Sequence, residues 1–109
     1  EGPTLSMTYV TGGNNKVESM SLPRKALKPD SKVILIDDFM RGGGTLKGMK
    51  DLMHEFGAKV IGTGVFISTT KPQQKMVEDY ISLIELDDNG ETTIAKPNFK
   101  RVRSNWSFL

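Results

Sequence analysis

The residues best suited to chemistry form one short stretch, Asp37 to Thr45, which begins with two acids and ends with three glycines and a threonine. Three consecutive glycines carry no Cβ, so the backbone can adopt positive φ values, approach an anion closely and direct N–H groups at it. A helix is expected to start at about Thr45, whose hydroxyl can cap it or donate to the same anion, and the helix dipole favours negative charge there. The pattern therefore predicts a phosphate-binding loop.

The adjacent acids Asp37 and Asp38 would repel the phosphate that the glycines attract. This conflict is removed if the ligand carries hydroxyl groups about a sugar's width from its phosphate, or brings Mg²⁺, because ionised carboxylates accept hydrogen bonds and bind hard cations. A ribose 5-phosphate group has this layout. The alternative is that Asp37 and Asp38 only end a strand and that Gly42 to Gly44 form a loose turn without a ligand.

Other chemistries fit the sequence poorly. A Walker loop needs a lysine directly before its threonine, and Gly44 stands there. The dinucleotide fingerprint has its acid about 20 residues after the glycines, whereas Asp37 and Asp38 precede them. The one histidine, His54, is interpreted as structural or solvated. No set of nucleophile, base and orienting group can be assembled.

The neighbouring residues predict how this stretch is positioned. Val33 to Ile36 is a continuous apolar run, typical of a strand buried on both faces of a parallel sheet. Apolar residues then recur at helical spacing until Gly57, and a second apolar run extends from Val60 to Ile67. Strand, glycine loop, helix and strand make a right-handed βαβ unit, which places the loop at the carboxyl edge of the sheet, where ligands bind.

Further elements are predicted on both sides of this unit. Leu5 to Val10 and Lys16 to Leu22, separated by a turn rich in glycine and asparagine, indicate a β-hairpin. Pro72 to Tyr80 has a partial apolar face that indicates a short helix. Ile81 to Leu86 and Thr92 to Ala95 are candidate strands. The basic tail after them shows no period and is interpreted as a docked or frayed terminus.

Composition limits the classes of protein. With 109 residues, 37% hydrophobic and 26% charged, the chain fits one small globular domain or a piece of one, and no apolar run approaches a membrane span. The net charge of +2 is too small to indicate nucleic-acid binding by this piece. The chain has no cysteine, no signal-peptide pattern and no leading Met, so a cytoplasmic location and a mid-chain start are expected.

The run VILIDDFMRGGGT, residues 33–45, resembles the motif by which type I phosphoribosyltransferases bind phosphoribosyl pyrophosphate (PRPP). The resemblance implies an α/β parallel-sheet fold in which Asp37 and Asp38 hold the ribose hydroxyls. It assigns the 5'-phosphate loop to Met40, Arg41, Gly42, Gly43, Gly44 and Thr45. Active members usually have a small or hydroxyl residue in place of Arg41 and a Thr or Ser in place of Gly42, and this chain departs at both positions.

A wider resemblance is to the purine operon repressors of Gram-positive bacteria, carried by EGPTLSMTYVTGG, MSLPRKALKPDSKVILIDDFMRGGGTLKGMKDLMHEFGAKVIGTGVF and EDYISLIEL. Those proteins are dimers that join an N-terminal winged-helix DNA-binding domain to a phosphoribosyltransferase-like domain that senses PRPP. The resemblance implies that residues 1–109 are the C-terminal part of such an effector domain, which binds PRPP with Mg²⁺ and without catalysis. It also implies a homodimer that contacts operator DNA, not a membrane, through a domain outside this chain. The pyrophosphate-binding loop is likewise expected outside it.

Two rival functions remain. The first is an enzyme, an adenine or xanthine type of purine phosphoribosyltransferase, and the second is a module that binds a purine monophosphate. Arg41, which follows Asp-Asp-Phe-Met, favours the repressor resemblance over adenine phosphoribosyltransferase. A compact hairpin around Gly12 to Lys16 also stands where transferases have a flexible loop that closes over the reacting centre. Lys16 and Glu18 are the charged residues close to that turn.

Overall fold

The computed structural model describes residues 3–11 and 16–94 as two sheets and one α-helix. In chain order the elements are β1 (Thr4–Thr11), β2 (Lys16–Pro23), a 3-10 turn (Arg24–Ala26), β3 (Lys32–Met40), α1 (Gly44–Phe56), β4 (Lys59–Thr69), β5 (Ile81–Leu86) and β6 (Thr92–Ile94). β1 and β2 pair antiparallel, so the predicted hairpin is confirmed, although its turn at 12–15 lies outside the described residues.

The larger sheet has the strand order β3-β4-β5-β6. β3, β4 and β5 are parallel, and β6 returns antiparallel to β5. The predicted βαβ unit is therefore confirmed, with α1 connecting β3 to β4. Because parallel strands end at the same edge, the loop between β3 and α1 shares that edge with the chain that leaves β4.

The prediction of a helix for residues 72–80 is wrong, because this segment is irregular. Val77 is buried but Met76 is 52% exposed, so no continuous apolar face forms.

Glycines set both ends of α1. Gly43 precedes the helix with a left-handed φ of 93°, and Gly57 ends it with a φ of 73°. The Gly57 N–H donates to the His54 carbonyl at 3.0 Å, as expected for a glycine C-cap. The core lies between this helix, the hairpin and one face of the sheet. Its buried hydrophobic residues are Leu35, Met40, Leu46, Leu52, Met53, Phe56, Val65 and Val77.

The other face of the larger sheet is open in the described part of the chain. Ile34 and Ile36 of β3 are 63% and 58% exposed, and Phe66 of β4 is 54% exposed, whereas Leu35 is buried. Strand side chains alternate between faces, so the apolar run of residues 33–36 gives β3 two apolar faces. The described residues cover only one of these faces. The prediction that this strand is buried on both faces is wrong for these residues.

The hairpin approaches α1 closely because two glycines, one helical turn apart, face it. A Cβ at Gly48 would lie 2.8 Å from Tyr9 Cβ and 3.3 Å from Met20 Cε, and a Cβ at Gly44 would overlap the carbonyl oxygen of Val10. The sequence predicts only a ligand-binding role for Gly44. The structure shows that the absence of a Cβ at Gly44 allows β1 to lie beside the glycine loop.

This packing predicts that Gly48→Val destabilises the protein. The added side chain must displace Tyr9, and overpacking of this kind costs about 1–3 kcal/mol. Gly62→Val is the matched control, because a Cβ at Gly62 meets only the Ile34 side chain at an ordinary 3.8 Å. Urea unfolding should give a lower midpoint for the Gly48 variant than for the control. Equal midpoints would contradict the close approach of the hairpin.

Candidate functional site

A cavity of about 180 Å³ lies where β3 ends and α1 begins. Its lining consists of Asp37, Phe39, Met40, Arg41, Gly42, Gly43, Gly44, Thr45 and Leu46. The structure therefore brings the predicted phosphate loop and one of the two predicted acids together around a single space. Complete small-molecule sites occupy roughly 300–1,000 Å³, so this cavity fits part of a ligand, such as a phosphate with its adjoining sugar.

The two acids interact, but they differ in burial and in contact with the cavity. Asp37 is half-buried in the cavity lining, whereas Asp38 is exposed and outside the lining, because consecutive strand residues point to opposite faces. The Asp38 N–H donates to Asp37 Oδ1 at 2.9 Å and holds that carboxyl. Burial raises the pKa of Asp37; this hydrogen bond opposes the rise, and the Asp38 carboxyl adds to it. A hydroxyl donor or cation that reached the cavity would therefore stabilise the ionised Asp37 carboxyl.

The glycine loop offers free backbone donors. Of its three glycines only Gly43 has a positive φ, and Gly44 already belongs to α1. The hydrogen bonds among residues 3–11 and 16–94 leave the N–H groups of residues 42–45 without an acceptor. This is expected at a helix start, where the first N–H groups have no partner within the helix. Adjacent donors at the positive end of the α1 dipole form an anion-binding arrangement.

Three other predicted residues occupy distinct positions around the cavity. The Met40 side chain is buried in the core with 3% of its surface exposed, so its backbone is the part available to a ligand. The guanidinium carbon of exposed Arg41 lies 5.7 Å from the centre of the Phe39 ring, within cation–π range. Thr45 is half-buried and does not cap α1, since Gly43 is the N-cap and the cap makes no side-chain hydrogen bond. The Thr45 hydroxyl therefore has no capping role.

Lys75 makes a contact with the glycine loop that the sequence does not predict. Its Nζ donates to the carbonyl oxygens of Arg41 at 2.6 Å and Thr69 at 2.7 Å, and so connects the end of β4 to the glycine loop. Burial lowers the pKa of Lys75, the charge of Arg41 lowers it further, and Glu85 opposes both effects. In sequence Lys75 belongs to a polar stretch that looks solvated. It is 34 residues from Arg41, so no local pattern signals the contact.

The hairpin runs close to the acidic side of the site. The Tyr9 hydroxyl donates to Glu18 Oε1 at 3.2 Å. Burial, the bond to Glu18 and the charges of Glu18 and Asp37 raise the pKa of Tyr9, which places Tyr9 within electrostatic range of Asp37. Lys16, the other charge near the turn, is exposed. The hairpin therefore lies within electrostatic range of Asp37 through Tyr9.

The described residues contain no group of three or more His, Cys, Asp or Glu side chains that could hold a metal ion. His54 is exposed in the last turn of α1, at the end of the helix away from the cavity. None of the described helices has the length and apolarity needed to cross a membrane.

Comparison with known proteins agrees with this arrangement. The phosphoribosyl transferase domain family matches residues 5–96. The purine biosynthesis transcriptional repressor of Bacillus subtilis is 43% identical over 86 residues, which cover 79% of this chain and 30% of that protein. The purine biosynthesis transcriptional activator of Lactococcus lactis subsp. lactis is 37% identical over 87 residues, covering 80% and 32%. The chain thus spans about a third of the length of these curated relatives.

A solved structure shares the fold. The crystal structure of adenine phosphoribosyltransferase from Thermoanaerobacter pseudethanolicus matches with a TM-score of 0.67 and 25% identity, over 79% of this chain and 51% of that one. The predicted fold class and the predicted similarity to purine operon regulators are confirmed. Since the family match includes the hairpin, the βαβ unit and the cavity, the chain belongs to the phosphoribosyl transferase domain family.

Proposed function

We propose that this chain is the part of a purine transcription regulator that binds the ribose 5-phosphate end of PRPP. The observation that carries the proposal is that one cavity is lined by Asp37 and by residues 42–45, whose N–H groups have no acceptor among the described residues. Donors for a phosphate and an acceptor for sugar hydroxyls are both required by a ribose phosphate. The similarity to two purine regulators favours a regulatory role over other uses of this site.

Each part of the ligand is proposed to bind a particular group of the site. The loop N–H groups and the Thr45 hydroxyl donate to the 5'-phosphate, and Asp37 accepts from a ribose hydroxyl. Asp38 is exposed, so it reaches a second hydroxyl where the ligand extends beyond the cavity. Mg²⁺ usually keeps several waters and takes one or two carboxylates together with phosphate oxygens. The pyrophosphate of PRPP would therefore supply most of the magnesium ligands, and the Asp pair would add the remainder.

The same site is proposed to bind without catalysis. Transfer of a phosphoribosyl group needs a positioned base, a departing pyrophosphate and a site closed against water. The cavity of about 180 Å³ has room for part of such a reacting complex, for example the ribose phosphate. The hairpin is packed against α1 at Gly44 and Gly48. A hairpin held in this way contributes less to a closing motion than a free loop would.

In the intact protein, PRPP binding is proposed to alter the affinity for operator DNA, which a separate domain of a homodimer contacts. A ligand shifts such an equilibrium only by the difference between its affinities for the two states. The relatives include a repressor and an activator, so the sign of the regulation differs among them. The rival function is a purine phosphoribosyltransferase, favoured by the structural match to adenine phosphoribosyltransferase.

The first test replaces the acids. Asp37→Asn keeps the side-chain volume and removes the charge, and should weaken PRPP binding by about 1.5–3 kcal/mol, which is roughly 10- to 150-fold in Kd. Asp38→Asn should have a smaller effect, because Asp38 is exposed. Asp88→Asn is the control, since Asp88 is 58% exposed and pairs with Lys71. Calorimetry on the intact protein that showed wild-type affinity in the double Asp37, Asp38 variant would refute the assignment.

The second test concerns Arg41, which lines the cavity and lies beside Phe39. Arg41→Thr should lower PRPP affinity and reduce its dependence on salt, because an ionic contact is screened by added ions. Arg24→Thr, an exposed change in the 3-10 turn, is the control. If the PRPP affinity and its dependence on salt both stay at wild-type values, the guanidinium interacts with Phe39 or another surface and not with the ligand.

The third test separates the regulator from the enzyme. The intact protein is mixed with PRPP, Mg²⁺ and adenine, guanine, hypoxanthine or xanthine in turn, and nucleotide formation is followed. The proposal expects binding without turnover. Turnover with any base at about 1 s⁻¹ or faster, the lower end of ordinary enzyme rates, would establish the transferase instead. Competition between PRPP and purine monophosphates in the same protein tests whether a nucleotide is the preferred ligand.

A further inference from the structure

The back of the glycine loop is held by the segment that connects β4 to β5. Lys75 Nζ donates to the Arg41 carbonyl at 2.6 Å, and the Met76 N–H donates to the Gly42 carbonyl at 2.8 Å. A carbonyl and the N–H of the following residue belong to one planar trans peptide group and point in opposite directions. Fixing these two carbonyls on one side therefore turns the N–H groups of Gly42 and Gly43 to the other side.

Lys75 is itself anchored to the sheet. Its Nζ donates to the Thr69 carbonyl at 2.7 Å and lies 3.5 Å from Thr69 Oγ1. Thr69 is the last residue of β4, is buried, and donates its own hydroxyl to the Lys71 carbonyl at 2.6 Å. An ammonium group has three donors, and the carbonyl oxygens of Arg41 and Thr69 with the Thr69 hydroxyl use that capacity. The ammonium thus ties the loop to a rigid strand end.

The contact between segment and loop also depends on Gly43. A Cβ at Gly43 would meet the Met76 nitrogen at 3.2 Å and Val77 Cγ2 at 3.4 Å, so a larger residue would push the segment away. Val77 is buried in the core. The segment is therefore packed against the loop and not merely adjacent to it, which makes its two hydrogen bonds to the loop effective as constraints.

The charge of Lys75, like its hydrogen bonds, favours an anion at the glycine loop. Lys75 and Arg41 are cations close enough for the charge of Arg41 to lower the pKa of Lys75, with burial as the larger cause. Glu85 is the acidic group that opposes this shift. Arg41 lines the cavity and Lys75 does not, so a phosphate bound there would offset the charge of Arg41 directly and that of Lys75 from across the loop.

We propose that Lys75 is a positioning residue of the phosphate site, which orients the loop peptides so that their N–H groups face a phosphate monoester without touching the ligand itself. This inference rests on the proposed function, because it deepens the account of the same site. In this proposal Lys75 fixes the glycine loop from its carbonyl side, and the start of α1 at Gly44 fixes it at its C-terminal end.

The test uses ribose 5-phosphate as the probe and the intact protein. Lys75→Met keeps a long unbranched side chain and removes the ammonium donors. Its affinity for ribose 5-phosphate should fall by about five- to tenfold, the effect of losing roughly one hydrogen bond's contribution. In protein labelled with ¹⁵N-glycine, the shifts that the ligand induces at the Gly42 and Gly43 amides should shrink. A role limited to overall stability would lower the melting temperature without changing these shifts.

Lys71→Met is the matched control, because Lys71 lies in the same segment, is 71% exposed and pairs with Asp88 at 3.1 Å. It should retain wild-type affinity and amide shifts. A folded Lys75→Met protein that binds and shifts like the wild type would overturn the positioning role. If that variant does not fold, Lys75→Gln is judged by the same two readouts. Failure of the wild type to bind ribose 5-phosphate would instead refute the proposed function, so the two failures are distinguishable.

Discussion

The constraint on which the site depends is that a buried stretch of backbone keeps its N–H groups free. Gly42, Gly43 and Gly44 are buried, yet the described residues provide no acceptor for their N–H groups. Unpaired buried donors are costly, and native proteins nearly always satisfy them. The carbonyls of Arg41, Gly42 and Gly43, in contrast, accept hydrogen bonds from Lys75, Met76 and Lys47. Adjacent backbone donors without an acceptor are suited to an anion, or to ordered water that an anion displaces.

The surrounding elements can be understood from this constraint. β3 delivers Asp37 to the cavity, and α1 starts at the loop and directs the positive end of its dipole there. Gly44 and Gly48 let the hairpin approach, which brings Tyr9 within electrostatic range of Asp37. Positive potential is thus concentrated at the loop and negative potential at the acids. A ligand with a phosphate at one end and hydroxyl donors at the other matches this polarity.

Sequence patterns predicted the local features because those depend on neighbouring residues. The triple glycine, the helical spacing up to Gly57 and the apolar runs are visible within short windows, and the βαβ unit follows from them. Three features depended on tertiary structure. Whether Ile34 and Ile36 are covered depends on what packs on the second sheet face, and the contact of Asp37 but not Asp38 with the cavity depends on where the glycine loop and α1 lie. Lys75 reaches the loop only through the path of the irregular segment after β4.

The decisive experiment is a crystal structure of the intact protein with PRPP and Mg²⁺. We expect the 5'-phosphate within hydrogen-bonding distance of the N–H groups of residues 42–45, a ribose hydroxyl on the Asp37 carboxyl, and the Arg41 carbonyl still bonded to Lys75. Ligand bound elsewhere, or loop N–H groups that pair with protein carbonyls while PRPP is bound, would refute the proposed site.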